Sequence, residues 1–179
     1  MKTVLRIFST ITCFFLFIIP AFAVEFQSPT GFVNDYANLY SSGFKTDLEN
    51  KLKEFENTSG SEIAVVTVES LEGESVEEYA VRLFEKWKIG KKDTDTGLLL
   101  LIAKNEREVR IEVGYGLESY ITDGRAGEVI RQDIVPEFKQ GDYEAGTEKG
   151  VDSLIAYIAN KDIAPKESPK DGDFPIFAV

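Results

Sequence analysis

Histidine is absent from this 179-residue chain, and cysteine occurs once, as Cys13. Cys13 lies in an apolar run near the N-terminus that reads as a removable leader, so the mature protein is expected to carry neither imidazole nor thiol. Those absences exclude a disulfide, a zinc site built on Cys or His, a Ser-His-Asp triad, a Cys nucleophile and a phosphohistidine intermediate. Catalysis, if any, must rest on carboxylates, hydroxyls, Lys, Arg, Tyr, backbone amides or a hard metal ion. Positive charge is scarce as well: 20 Lys and Arg face 31 Asp and Glu, for a formal charge of −11. Such a surface repels phosphate backbones and anionic lipid, which argues against nucleic-acid partners and electrostatic membrane docking, and it attracts divalent cations.

A membrane-length hydrophobic run is also missing. The run from Ile7 to Ile19 is shorter than the roughly 18–20 residues that span a bilayer, and Pro20 interrupts it. Behind a basic start (Lys2, Arg6) and ahead of Ala21-Phe22-Ala23, it reads as a signal peptide, residues 1–23, cleaved after Ala23. Cleavage leaves 156 residues (179 less 23), the size of one domain with a single core, and shifts the charge from −11 to −13 by removing Lys2 and Arg6. The address is therefore extracytoplasmic, secreted or periplasmic. From Lys161 the composition turns to Pro, Lys, Asp and Ser, so 161–179 is expected to be a disordered tail or linker after a domain over 24–160. Phe174 to Val179 is too short to cross a membrane; a membrane anchor would belong to a longer form of the chain.

Within the domain, Phe44, Leu48, Leu52 and Phe55 share one helical face, and Gly60 supplies a stop. Ile63 to Val68 is nearly all apolar and β-branched, as in a strand covered on both faces. Ser75 with Glu78 makes a capping box ahead of Val76, Tyr79, Ala80, Leu83, Phe84 and Trp87 at helical spacing. Gly97 to Ala103 and the alternating Val109, Ile111, Val113 form a hairpin about the turn at Lys104 to Arg107. Asp123 is the expected N-cap of a helix that Pro136 ends, and a last helix follows Asp142, with Gly146 and Gly150 allowing close packing. This order predicts an α/β fold: a small mixed sheet with helices on both faces, the first two strands parallel and the third antiparallel.

The hairpin gathers Asp93 and Asp95, just before one strand, beside Gly114 to Asp123, just after the next. Asp93-Thr94-Asp95-Thr96-Gly97 is spaced to offer oxygen ligands to a hard cation, although it matches neither an EF-hand loop nor a phosphoaspartyl motif. Taken alone, a solvated acidic loop is its plainer reading. Gly114-Tyr115-Gly116 is read either as a close approach of backbone amides to a ligand or as a tight turn needing positive φ; it is not a dinucleotide fingerprint. Arg110 and Glu112 point away from Val109, Ile111 and Val113 and are expected to pair. Asp35 and Asp123 each have a plain reading, as a turn residue and as a helix cap.

Taken together, Val33-Asn34-Asp35-Tyr36-Ala37, Trp87-Lys88-Ile89-Gly90, Gly97-Leu98-Leu99-Leu100, Arg107 to Glu118, Ile121-Thr122-Asp123 and Gly141-Asp142-Tyr143 resemble the TPM domain family from about Phe32 to Ile158. The chain departs from the family pattern at Lys88, where Gly is usual, and at Ser119 and Gly124. The resemblance implies a three-layer α/β/α sandwich outside the cytoplasm or in a thylakoid lumen, divalent-metal binding with Ca2+ favoured over Mg2+ or Mn2+, and a phosphatase label. Carried over residue by residue, it makes Asp35, Asp95 and Asp123 the expected metal ligands, with Asp93, Glu112 and Glu118 as further candidates. The leading expectation is an extracytoplasmic accessory domain that binds a divalent cation, with weak phosphomonoesterase activity. The alternative is a non-catalytic interaction module that meets an envelope protein partner during membrane-protein assembly or repair. A small glycosidase using two carboxylates is a third and lesser reading.

Overall fold

In a computed structural model, residues 26–90 and 93–159 are described. The expected leader, 1–23, and the expected tail, 161–179, lie outside the described residues. Four strands form one sheet in the order β1-β2-β3-β4, where β1 is Val33–Asp35, β2 Glu62–Val68, β3 Gly97–Ala103 and β4 Glu108–Val113. The first three are parallel and β4 is antiparallel to β3. Helix α1 (Ser42–Ser59) links β1 to β2, and α2 (Val76–Trp87) links β2 to β3. After β4 come a 3-10 turn (Tyr115–Leu117), α3 (Asp123–Val129), a π-helical stretch (Ile130–Ile134), α4 (Val135–Phe138) and α5 (Tyr143–Ala159).

Burial on both faces explains the unbroken apolar run in β3. Leu98, Leu100 and Ile102 pack with Leu48, Leu52 and Phe55 of α1 and with Val151 and Leu154 of α5. Leu99, Leu101 and Ala103 pack on the other side with Tyr79, Ala80 and Leu83 of α2. The result is the expected mixed sheet between helical layers. Ser41 caps α1 by accepting from Phe44 N–H at 3.2 Å, and Ser75 caps α2 by accepting from Glu78 N–H at 3.2 Å. A Cβ at Gly146 would meet the Phe138 ring at 2.6 Å, and one at Gly150 would meet Ile134 at 2.6 Å, so the small residues of α5 do permit the close packing.

One strand is added and two expectations are corrected. Strand β1 has no signal in the sequence, because three residues that include Asn34 and Asp35 are too few to display an alternation. Its outer N–H groups are covered by α1: Glu49 accepts from Phe32 N–H at 3.1 Å and Val33 N–H at 2.8 Å. Thr122, and not Asp123, caps α3, accepting from Arg125 N–H at 3.3 Å. Pro136 does not end the helical run. It sits in the first turn of α4, directly after the π-helical stretch, and the chain stays helical to Phe138.

Candidate functional site

The N-terminal end of β3 and the C-terminal end of β4 meet, as their antiparallel pairing requires, and the flanking loops lock together by backbone contact. Gly114 N–H donates to Gly97 O at 2.8 Å and Gly116 N–H to Asp95 O at 3.0 Å. The Asp95 carboxylate accepts from Tyr115 N–H at 3.0 Å. A Cβ at Gly114 would collide with the Asp95 carbonyl and one at Gly116 with the Thr94 carbonyl. Neither glycine has positive φ; Gly114 has φ −67°. Close approach to the 94–95 loop, and not turn geometry, is what demands glycine here. The left-handed residue is Asp95 itself, at φ 48°.

This interlock displays Tyr115 at 80% exposure beside a groove of about 620 Å3 running between α2 and the end of β4. Its apolar lining comes from Val81, Phe84, Ile89, Val113 and Tyr115. Among the described residues its charged lining is Glu85, Asp95, Glu112 and Glu118 with the basic residue Lys88. A second groove of about 340 Å3 shares Glu112, Val113 and Glu118 with the first and adds Arg110, Ile121 and Asp123. Arg110 is spent on Glu112, with Nε at 3.2 Å and Nη2 at 3.0 Å from one carboxylate oxygen. Under the groove floor, Glu62 accepts from Gly90 N–H at 2.7 Å. Burial pushes that carboxyl above its ordinary pKa, the Gly90 hydrogen bond opposes the rise, and neighbouring Glu56 adds to it.

Of the six acids expected as ligands, Asp95, Glu112 and Glu118 line the first groove, and Glu112, Glu118 and Asp123 the second. Asp93 is exposed and lines neither. Asp35 lies at the opposite end of the sheet. It is level with Thr67 and hence with Ile102, five residues along β3 from Gly97. At about 3.3 Å per residue that is about 17 Å along the strand, far outside a shared coordination sphere. The Asp35 side chain is only 1% exposed. It accepts from Leu39 N–H at 2.9 Å, Tyr40 N–H at 3.1 Å and Thr67 Oγ at 2.6 Å, which ties β1 to the loop before α1 and to β2.

The donor set does not form a coordination shell as folded. Among the described residues, no group of three or more His, Cys, Asp or Glu side chains stands where it would hold a metal ion. Glu112 is held by Arg110 and Asp95 by the Tyr115 amide. What the arrangement offers is a mixed apolar and acidic groove. Sequence reasoning missed Val81, Phe84, Glu85 and Tyr115 as lining residues. The available signal was Val81, an apolar β-branched residue lying off the buried stripe of α2 and 39% exposed.

Comparison with known proteins adds the lineage. The family model described as the TPM domain matches residues 33–157. The N-terminal domain of a P. gingivalis protein, solved by NMR, is 32% identical with a TM-score of 0.67, covering 72% of this chain and 82% of that one. The N-terminal domain of a Corynebacterium glutamicum protein has the same fold at 16% identity and a TM-score of 0.58, over 86% of this chain and 96% of that one. So does a protein of the psychrophilic bacterium Bizionia argentinensis, at 20% identity and a TM-score of 0.57, over 66% and 81%. No curated protein matches the chain.

Proposed function

Since the chain belongs to the TPM domain family, whose members are generally extracytoplasmic, we propose that it is a protein-binding domain that works outside the cytoplasm. It docks a basic segment of an envelope protein in the groove between α2 and β4. The observation that carries this reading is Tyr115, 80% exposed at the mouth of a groove whose described lining has four carboxylates and one lysine. Aromatic residues are favoured anchors at interfaces, and unlike potentials steer the encounter. Among the described residues no helix is long and apolar enough to cross a membrane.

The test is photo-crosslinking in cells with a photoreactive phenylalanine analogue at Tyr115 or Val81, using the exposed α1 residue Asn57 as control. Expected is one adduct band from both groove positions, absent from the control and lost on adding Glu85→Lys and Glu118→Lys. No groove-specific adduct would remove this reading.

A second reading is favoured by the strip of acids shared between the two grooves. A divalent cation recruited there would draw Glu118 and Asp95 together after Glu112 leaves Arg110. Calorimetric titration with Ca2+, Mg2+ and Mn2+ tests it, with Asp95→Asn/Glu118→Gln expected to abolish binding while remaining folded. Silence of the wild-type protein at millimolar cation would discard it. A phosphomonoesterase assay belongs with whichever cation binds.

A further inference from the structure

A separate cleft of about 270 Å3 opens at the carboxyl ends of β1 and β2, on the α2 side of the sheet. Ligands of open α/β sheets gather outside the carboxyl ends of the strands. Four aromatic side chains line this cleft, Phe26, Tyr36, Tyr79 and Trp87. They are held in place by the fold. Trp87 Nε1 donates to Gln27 O at 2.9 Å, Tyr36 Oη to Ser28 O at 3.4 Å, and the Phe26 and Tyr79 rings meet edge to face at 5.0 Å.

Among the described residues the charged lining of the cleft is acidic. Glu69 and Glu72 line it, and no described Lys or Arg does. Glu69 is paired with Lys104 at 3.0 Å, whereas Glu72 is exposed and makes no ion pair among the described residues. The chain already uses one of these rings as a cation seat, since the Arg82 guanidinium stands 5.0 Å from the Phe26 centroid. Electron-rich ring faces with a nearby carboxylate are the chemistry that recognises organic ammonium ions. The two exposed large hydrophobics of the described residues, Val81 and Tyr115, are not among the lining residues, so the described residues form no apolar collar suited to a lipid surface.

We propose that this cleft binds a free small organic cation, a quaternary ammonium or methylated amine, against Tyr36, Tyr79 and Trp87 with Glu72 as its counter-charge. The site is independent of the groove assigned to a protein partner.

Trp87 is the one tryptophan of the chain, so its fluorescence reports on the cleft directly. The full chain is titrated with choline and with its neutral isostere 3,3-dimethyl-1-butanol, and both titrations are repeated by calorimetry. Expected is a saturable change with choline at about millimolar concentration and binding of the isostere weaker by about tenfold. Glu72→Gln, an exposed change that leaves the fold alone, is expected to weaken choline by several-fold, and Tyr36→Ala to weaken it further. Equal binding of choline and the isostere would overturn cation recognition. No saturable signal by either method up to about 10 mM choline would overturn the site. Binding to phosphatidylcholine vesicles without competition from free choline would overturn the assignment to a free ligand.

Discussion

Asp35 shows how one residue type can carry two roles that sequence alone does not separate. The family resemblance makes it an expected metal ligand, while its own string reads as a turn. In the fold it is buried and accepts from two backbone amides and a hydroxyl. Asp35→Asn replaces an acceptor oxygen by a donor and leaves a buried N–H unpaired, so it is expected to cost about 2–3 kcal/mol, measured by urea unfolding. An unchanged midpoint would show that the carboxylate is dispensable. A metal-binding test that mutates Asp35 would thus report loss of fold. Lys88 is the converse case. It terminates α2 at φ 56°, a region that penalises any side chain with a Cβ. Lys88→Gly is expected to stabilise by about 1 kcal/mol in the same measurement. Lys88 is therefore a point of local strain, and among the described residues it is the basic residue lining the groove.

At the level of elements, the functional end of the molecule depends on two loops pressed backbone to backbone. Gly116→Ala forces a methyl against the Thr94 carbonyl, with an expected loss of about 1–3 kcal/mol and a parallel loss of crosslinking at Tyr115. Retention of both would show that the interlock is not needed. The opposite end of the β3–β4 hairpin is pinned by Glu106, which accepts from Ser70 Oγ at 2.8 Å and Leu71 N–H at 3.1 Å. Burial raises its pKa, but those hydrogen bonds outweigh burial and hold it below the ordinary 4.5. Because the folded form binds this proton less readily than the unfolded chain, its stabilisation is present above pH about 4.5 and is lost as pH falls through the depressed folded value. Glu62, with a raised pKa, has the opposite sign: its contribution is largest in acid and is lost as pH rises through the folded value. Glu106→Gln is expected to flatten the acid limb of the stability curve, and Glu62→Gln to raise stability at neutral pH relative to acid. A Glu106→Gln curve parallel to wild type below pH about 4.5 would refute the assignment.

For the whole molecule, a formal charge of −11 means that self-repulsion opposes folding and that any cation relieves part of it. Raising NaCl is expected to raise Tm by about 2–4 °C, and CaCl2 at matched ionic strength to add a further rise only if a specific site exists. Equal curves in the two salts would count against the cation reading. The excluded chemistries, the helix stripes of α1 and α2, the hairpin and the parallel pairing of β2 with β3 were all legible in the chain, because composition, periodicity and connection length act locally. The neighbourhood of Asp95 with Glu118 was legible for the same reason, as hairpin pairing brings those segments together. Strand β1, the buried role of Asp35 and the aromatic cleft were not. Phe26, Tyr36, Tyr79 and Trp87 stand on three separate segments, and only the packing of α2 across the sheet makes them neighbours. Local sequence determined which elements form and what chemistry is unavailable; tertiary structure decided which side chains are consumed by the fold and which remain free to bind, since long-range contact and burial have no period along the chain.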